Sequence, residues 1–274
     1  MEGLQDVREI RIDTPYGAPS DAIAAGTLEG VPVAFLARHA RSHAFLPTEI
    51  PYRANIWALK SLGVEYLISV SAVGSLKEAL APRHMILPDQ FIDLTKRREG
   101  TFFGDGAVAH VSLAHPVCSE LSETIAQAFS DCALPEAVLH RGGTYVCIEG
   151  PSFSTYAESQ LYRTWGASVI GMTNMPEARL AREAEIAYAT LALVTDFDCW
   201  HPGHAHVTAE MAISNLLHNA VNAQTLLRAC IRRLNASPPA SPAHSALAQA
   251  MVTPPAAMPA ATRDRLAPLL GKYL

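Results

Sequence analysis

The sequence has 274 residues, of which 49% are hydrophobic, and a formal net charge of −5. This composition is typical of a globular chain and excludes a disordered one, and the excess of acids argues against a nucleic-acid-binding surface. No apolar run approaches the ~20 residues of a membrane span, and no signal segment opens the chain, so we predict a cytoplasmic protein.

The cysteines are scattered along the chain and form no Cys-x-x-Cys pair. They are Cys118, Cys132, Cys147, Cys199 and Cys230. An odd and scattered set is typical of reduced thiols rather than of a disulfide framework.

The first part of the chain predicts three short strands and a basic loop. Residues 7–12 alternate like an edge strand, and residues 21–37 form two strands around Glu29-Gly30. Arg38-His39 then begins a basic cluster just past a strand end, which is a candidate anion site. The alternative is an ordinary solvated loop.

The next segment predicts a helix over 52–62 and a buried strand over 64–70. Ser71–Ser75 follows as a short loop of small residues, whose backbone N–H groups can face an anion.

Strands and helices then alternate along the chain, which favours an α/β fold with a mostly parallel sheet. We expect strands at 85–87, 91–92, 143–148 and 167–171, and helices at 119–129, 157–165, 177–186 and 211–232.

The segment from Tyr188 to Val194 is continuously apolar or small, as in a strand buried on both faces of a sheet. Thr195, Asp196 and Asp198 follow where that strand should end. Ligands of open α/β sheets bind at the carboxyl ends of strands, so two carboxylates arrive where a small molecule would bind. The alternative is a capped turn, because Asp and Thr commonly begin helices.

The remaining chain adds no second domain. The histidine-rich turn His201–His206 resembles a zinc site but has no evident fourth ligand, so we predict no metal. Residues 236–262 are rich in Pro, Ala and Ser and predict an extended surface segment, followed by a terminal helix within 263–274. We predict one domain, residues 1–274.

Polar groups therefore follow several predicted strand ends. Arg38, His39 and hydroxyl groups suit an anion, whereas the two aspartates suit a flat heterocycle that carries N–H groups. A phosphate beside a nitrogenous base predicts a nucleoside phosphorylase.

Longer motifs resemble one family specifically, the methylthioadenosine phosphorylase branch of the trimeric purine nucleoside phosphorylases. The resembling stretches cover nearly the whole chain: residues 13–22, 35–39, 52–60, 148–154, 171–177, 195–200 and 266–274. The resemblance implies a nucleoside phosphorylase-like α/β fold and phosphorolysis of methylthioadenosine, with inorganic phosphate as co-substrate and no other cofactor.

The resemblance also implies residue roles. It assigns phosphate binding to Arg38, His39, Ser71, Ala72 and Thr173. It assigns nucleoside binding to Phe153, Met172, Asp196, Phe197 and Asp198, with Asp196 as the catalytic acid at purine N7.

Further positions are implied to tune specificity or to reach a neighbour. Ser154 stands where the family tunes base choice, and Ala209 and Ala212 match positions at the 5′ end of the ribose. His110 and Leu269 match positions that reach a neighbouring subunit, which implies a homotrimer or a dimer of trimers.

The sequence departs from the family at its start, because relatives begin with a strand and a Gly-Gly-Ser/Thr-Gly phosphate loop. This sequence resembles them downstream of that loop, so either its start lies further upstream or it is a shortened member. We expect the missing strand to weaken stability and phosphate binding. Three alternatives stay open: a phosphorylase of broader nucleoside range, a hydrolase that uses water, and a nucleoside-binding remnant without catalysis.

Overall fold

A computed structural model describes residues 3–134, 137–203 and 207–274. Within these ranges the strands are β1 (Gln5–Ile10), β2 (Ile23–Leu28), β3 (Val31–Phe35), β4 (Tyr66–Ser75), β5 (Met85–Leu87), β6 (Gln90–Asp93), β7 (Leu139–Arg141), β8 (Thr144–Cys147), β9 (Val169–Gly171) and β10 (Ala187–Asp196). The α-helices are α1 (Tyr52–Ser61), α2 (Ser119–Asp131), α3 (Tyr156–Thr164), α4 (Asn174–Glu183), α5 (Ala209–Ala236) and α6 (Ala260–Leu270). None of the helices described is long and apolar enough to cross a membrane.

The strands form a seven-stranded mixed sheet in the order β6-β8-β9-β4-β10-β5-β7 and a separate antiparallel sheet β1-β2-β3. In the large sheet, β10 pairs in parallel with β4, β5 with β7, and β8 with both β6 and β9. The pairs β10–β5 and β4–β9 are antiparallel. The predicted α/β fold with a mostly parallel mixed sheet is therefore confirmed.

Strand β10 lies inside the sheet between β4 and β5, and all ten of its residues are buried. Its alternate side chains enter two apolar clusters. Tyr188, Ala192 and Val194 pack with residues of α4 and α6, whereas Leu191 and Leu193 pack with residues of α2 and α5. Because successive side chains point to opposite faces, a strand covered on both faces has to be apolar throughout.

Two local predictions for this sheet are corrected. The predicted loop Ser71–Ser75 is the second half of β4, where Ser71 pairs with Ala192 and Gly74 with Ile170. Pairing with strands that are distant in sequence overrides the small-residue composition. Strand β7 was not predicted, because three residues are too few to display a period.

The segment 236–262 differs from the predicted extended surface chain. It contains two short 3-10 helices, Pro242–Ser245 and Pro255–Ala257. Leu247 and Met258 are buried in the same cluster as α6. Small and apolar side chains spaced between prolines therefore dock this segment on the domain.

A buried carboxylate, Glu185, ties the C-terminal region to the end of α4. Its side chain is 1% exposed and lies 2.6 Å from Lys272 Nζ. It also accepts hydrogen bonds from the Leu247 backbone N–H at 2.9 Å and from the Tyr273 hydroxyl at 2.6 Å. The Glu185 side chain thus anchors Leu247, Lys272 and Tyr273 of the C-terminal region.

We expect Glu185→Ala to lower the free energy of unfolding by about 1–3 kcal/mol, because a buried N–H and a hydroxyl lose their acceptor. Glu123→Ala is the matched control, since Glu123 is 43% exposed and pairs with the exposed Arg141. The control should change stability by about 1 kcal/mol or less. Urea unfolding of both variants is the measurement, and equal losses would contradict the anchoring role.

Candidate active site

The carboxyl end of β10 places two aspartates in a buried turn. Asp196 and Asp198 are 5% and 4% exposed. Asp196 Oδ2 accepts a hydrogen bond from Thr195 Oγ1 at 2.7 Å, and Asp196 Oδ1 accepts one from the Asp198 backbone N–H at 2.8 Å. The turn therefore fixes the orientation of the Asp196 carboxyl group without any ligand.

Burial makes Asp196 a weaker acid than an exposed aspartate. It raises the pKa of the Asp196 carboxyl to about 6, and the neighbouring charge of Asp198 adds to this effect against the two hydrogen bonds. Burial likewise raises the pKa of Asp198. A carboxyl group that holds its proton close to neutral pH can act as a general acid.

A glycine allows this turn to approach β4 closely. A Cβ atom added at Gly74 would lie 2.8 Å from Asp196 Oδ1 and 3.5 Å from Asp198 Cβ. Any larger residue at this position would displace the carboxyl group, so Gly74 belongs to the construction of the site.

The second polar group of the site surrounds Arg38, which follows β3. Arg38 donates from Nη1 to Thr173 Oγ1 at 2.7 Å and from Nη2 to Ser69 Oγ at 2.6 Å. Its Nε lies 2.7 Å from Glu177 Oε2, and both side chains are largely buried. The guanidinium has five N–H bonds, so donors remain for a further acceptor.

His39 stands beside this arginine. Its Nδ1 lies 2.8 Å from the Phe45 carbonyl oxygen, and its ring stacks on that of His43. The carbonyl can only accept, so Nδ1 carries a proton and Nε2 is the acceptor nitrogen of the neutral ring. Burial is the main reason that the pKa of His39 is lowered.

Ser71 and Ala72 lie on β4 between the two polar groups. Ser71 Oγ is 3.4 Å from Thr173 Oγ1, which places it with the arginine. Gly74, next to the aspartates, is three residues further along the same strand. At the rise of a β-strand that separation is about 10 Å. Along β4, the residues beside the arginine and beside the two aspartates are therefore separated by about the length of a nucleoside.

Arg98 joins the loops on either side of the site, although its side chain is only 1% exposed. It donates to the carbonyl oxygens of Met172 at 2.6 Å, Met175 at 2.7 Å and Glu149 at 2.8 Å. It also donates to the Tyr52 hydroxyl and pairs with the Glu149 carboxylate at 3.1 Å. This guanidinium sets the spacing of the loops that follow β8 and β9.

Those loops carry Phe153, Ser154 and Met172. The Phe153 side chain is 44% exposed, whereas the Ser154 hydroxyl is buried beside Asp198. Met172 Sδ would lie 2.6 Å from a Cβ added at Gly150, so Met172 packs directly on the glycine backbone. The Phe197 ring packs in an apolar cluster with Trp200 and is 7% exposed.

The remaining predicted residues lie elsewhere. Ala209 and Ala212 are in the first turns of α5, and Ala209 is exposed. His110 is exposed, and its backbone N–H bonds to Ala250 O. Leu269 is 2% exposed inside the core of its own chain, so its side chain would have to leave that core to reach a neighbouring subunit.

Three site residues were not assigned from the sequence. They are Arg98, Glu177 and Thr195. A single arginine in a loop and a lone Glu in a helix leave no periodic signal. For Thr195, the adjacent Asp196 was a signal, because hydroxyl groups commonly bond a neighbouring carboxylate.

The described ranges contain no group of three or more His, Cys, Asp or Glu side chains able to hold a metal ion. His204 and His206 of the histidine-rich turn lie outside those ranges.

Comparison with known proteins finds relatives that extend over the whole chain. The sequence profile of the Phosphorylase superfamily matches residues 1–232. The S-methyl-5′-thioadenosine phosphorylase of Thermosynechococcus vestitus is 61% identical over 274 residues, which cover 100% of this chain and 95% of that protein. The protein of that name from Gloeobacter violaceus is 56% identical and covered to 92%.

Solved structures are similar as well. A methylthioadenosine phosphorylase from an antarctic soil metagenomic library superposes with a TM-score of 0.95 at 57% identity, covering 98% of this chain and 94% of that one. Methylthioadenosine phosphorylase from Schistosoma mansoni in complex with adenine gives a TM-score of 0.80 at 35% identity, covering 85% and 86%.

We expect Arg98→Met to lower the free energy of unfolding by roughly 2–4 kcal/mol, because several buried carbonyl groups lose a charged donor. Hydrogen exchange should become faster at 148–154 and 172–175 in particular. Arg97→Met is the matched control, since the Arg97 side chain is exposed and its backbone N–H still reaches Glu149. Similar exchange patterns in the two variants would contradict the role of Arg98.

Proposed function

The chain belongs to the phosphorylase superfamily, and we propose that it cleaves S-methyl-5′-thioadenosine with inorganic phosphate to give adenine and S-methyl-5-thio-α-D-ribose 1-phosphate. It is then a pentosyltransferase of purine and methionine salvage. The relatives that carry this name are 50–61% identical to the chain over nearly its full length.

One observation carries the proposal. A buried acid lies beside Gly74 of β4, and a site built around an arginine lies beside Ser71, about 10 Å away along the same strand. Asp196 with its raised pKa ends β10, whereas Arg38, which follows β3, bonds Thr173, and Thr173 lies 3.4 Å from Ser71 of β4. A nucleoside phosphorylase needs a proton donor for the base at one end of the sugar and a phosphate at the other.

We assign phosphate binding to Arg38, His39, Ser71, the backbone of Ala72, and Thr173. Arg38 retains N–H donors beyond those used by Glu177, Thr173 and Ser69, and guanidinium groups suit phosphate oxygens. The neutral His39 ring offers Nε2 to a protonated phosphate oxygen. The Thr173 and Ser71 hydroxyls, 3.4 Å apart, offer two further donors.

We assign the purine to Asp196, Asp198, Phe153 and Ser154. Asp196 donates its proton to N7 as the base leaves. Asp198 accepts a hydrogen bond from the exocyclic amino group. A carboxylate can only accept, so it favours a 6-amino purine over a 6-oxo purine. The exposed Phe153 ring is available for stacking. The buried Ser154 hydroxyl, which interacts with the Asp198 carboxyl group, tunes base choice.

We assign the ribose to Met172, through its side chain and its backbone N–H, and the 5′ substituent to Ala209 and Ala212. Small side chains at the start of α5 leave room for a methylthio group. Phe197 supports the turn between the two aspartates by packing its ring on Trp200 and His201. Any contact of Phe197 with the nucleoside is through its backbone.

The chemistry follows from these positions. A phosphate oxygen attacks the anomeric carbon while the glycosidic bond to the purine breaks, through an oxocarbenium-like state. The electron pair of that bond goes to the purine, and the proton of Asp196 neutralises it at N7. The bound phosphate dianion stabilises the positive charge on the sugar.

We further propose phosphate as co-substrate with no other cofactor, and a homotrimer or dimer of trimers as the assembly. The exposed His110 lies beside Val108 and Val252, which are 42% and 59% exposed, so this face offers apolar surface to a second copy. A cytoplasmic location stays a prediction.

The proposal predicts that adenine release from methylthioadenosine requires phosphate. Omission of phosphate should reduce release to background, and methylthioribose 1-phosphate should form in equal amount to adenine. Equal release with and without phosphate would identify a hydrolase instead. Adenosine, assayed in parallel, tests the second candidate, a phosphorylase of broader range, because the small Ala209 and Ala212 also leave room for a 5′-hydroxyl.

A second prediction concerns Asp196→Asn, which keeps the size of the side chain and removes its titratable proton. Loss of a general acid should lower kcat for methylthioadenosine about 10²–10⁴-fold. For inosine the loss should be smaller, because the amide can donate to N7 while its oxygen accepts from the purine. The measurement is kcat/KM for both nucleosides on both proteins. An unchanged ratio between the nucleosides would show that Asp196 does not contact the base.

A further inference from the structure

Strand β10 changes register immediately before the proposed acid. Val194 pairs with Val73 and Asp196 pairs with Gly74, so Thr195 is one extra residue on β10. This arrangement is a β-bulge, a feature that re-aims side chains beside active sites. Here the bulge turns Asp196 toward the end of the sheet.

Side chains take over backbone hydrogen bonds at the bulge. Asn215 of α5 donates from Nδ2 to the Thr195 carbonyl oxygen at 2.7 Å. The Thr195 hydroxyl itself reaches the Val73 carbonyl oxygen of β4 at 3.2 Å. Thr195 is 2% exposed, so water cannot substitute for these partners.

The Thr195 hydroxyl has a second possible acceptor, Asp196 Oδ2, at 2.7 Å. A hydroxyl carries one proton and can donate to only one of the two oxygens at a time. When Asp196 is ionised, its carboxylate is the stronger acceptor. When Asp196 carries its own proton, the Val73 carbonyl is the stronger acceptor. The geometry thus offers one donor position for each protonation state.

We propose that Thr195 is a positioning residue for the reaction, a hydrogen-bond donor that turns from Val73 O to Asp196 Oδ2 as Asp196 gives its proton to the leaving purine. This inference rests on the proposed function.

The glycosidic bond breaks and its electron pair goes to the purine, while the Asp196 proton moves to N7. The negative charge that the purine would have carried then resides on the Asp196 carboxylate. Thr195 turns its hydroxyl to that carboxylate and stabilises it. Because this bond becomes strong only as the proton leaves, it lowers the barrier rather than the energy of the bound substrate.

The surroundings add little charge to Asp196. Asp198 is the titratable group that acts on it, through its charge. The neighbours from the packed elements are Gly74 of β4, Ile170 of β9 and Asn215 of α5, which are all uncharged. A change at Thr195 should therefore act on the acid directly.

The experiment compares Thr195→Val, which removes the hydroxyl at nearly constant shape, with Thr195→Ser, which keeps it. For Thr195→Val we expect kcat for methylthioadenosine to fall roughly ten- to a hundredfold, the effect of a lost bond to a charged group. KM for phosphate should not change. Thr195→Ser should stay within about threefold of wild type.

The pH profile gives a readout that packing alone would not move. The hydroxyl stabilises the ionised form, so its removal raises the pKa of Asp196. The alkaline limb of kcat/KM, where the acid form is lost, should then move up by about one to two pH units in Thr195→Val, the shift that matches a ten- to hundredfold loss. In Thr195→Ser the limb should stay in place.

Two control variants separate this role from structural support. Asn215→Ala removes the other side chain that holds the bulge and should lower stability without moving the alkaline limb. Thr262→Val removes a buried threonine hydroxyl that donates to Asp105 O at 2.7 Å, remote from the site. It measures the stability cost of such a loss. If Thr195→Val is too unstable to purify, Thr195→Ala serves for the same comparison.

A purine that leaves easily supplies the last test. With a 2-fluoroadenine nucleoside the base needs less help from a proton, so the loss in Thr195→Val should be smaller than with methylthioadenosine. Any of three results would overturn the inference. The alkaline limb of kcat/KM does not move in Thr195→Val, the rate falls equally for both nucleosides, or Thr195→Ser is as slow as Thr195→Val. Absence of phosphorolysis in the wild-type protein would instead overturn the proposed function.

Discussion

The backbone of strand β10 carries the main constraint on this molecule. All ten of its residues are buried, so every peptide group has to find a partner inside the protein. Pairing with β4 and β5 meets most of that demand. At Thr195 the ladder slips by one residue, and the side chains of Thr195 and Asn215 serve the carbonyl groups there. A break in the sheet thus becomes the support of a functional carboxyl group.

The same demand explains the two buried arginines. Arg38 is held by a carboxylate and two hydroxyls, whereas Arg98 is held largely by carbonyl oxygens. A buried cation costs several kcal/mol unless its N–H groups are bonded, and a guanidinium can bond several acceptors at fixed angles. Arg98 meets this cost by joining three chain segments. The loops of the site are therefore ordered by a residue to which no contact with the substrate is assigned, although it bonds the carbonyl oxygen of Met172.

Features that depend on burial leave a pattern in the sequence and could be predicted, whereas features that depend on pairing between distant segments could not. The apolar run at 188–194 and the helical periods depend on burial, so strand β10 and the helices were predicted to within a few residues. Ser71 to Ser75 looked like a loop because its residues are small, yet pairing with β10 and β9 makes it a strand.

Among the proposed site residues, too, those with a local signal were predicted and those that depend on distant contacts were not. Asp196 and Arg38 were predicted because each follows a strand end in the sequence. Arg98 was missed because its role depends on carbonyl groups 50 to 77 residues away. A charged residue in a short basic run looks solvated until the fold surrounds it.

The two halves of the site have to be electrostatically separate for the proposed reaction to proceed. An unpaired arginine about 10 Å from Asp196 would interact with its carboxylate by roughly 1.7 kcal/mol at an effective dielectric constant near 20, which would lower the pKa by about one unit. Asp196 would then lose its proton about one pH unit lower and be a poorer general acid.

The Arg38–Glu177 pair largely cancels that field, since both charges are largely buried and 2.7 Å apart. The pKa of Asp196 is raised by burial and by the charge of Asp198, and lowered by the hydrogen bonds from Thr195 and the Asp198 N–H. Glu177 therefore serves both ends of the site. It holds the guanidinium in place for the proposed phosphate, and it keeps the positive charge of Arg38 from lowering the pKa of the proposed acid at the end of β10.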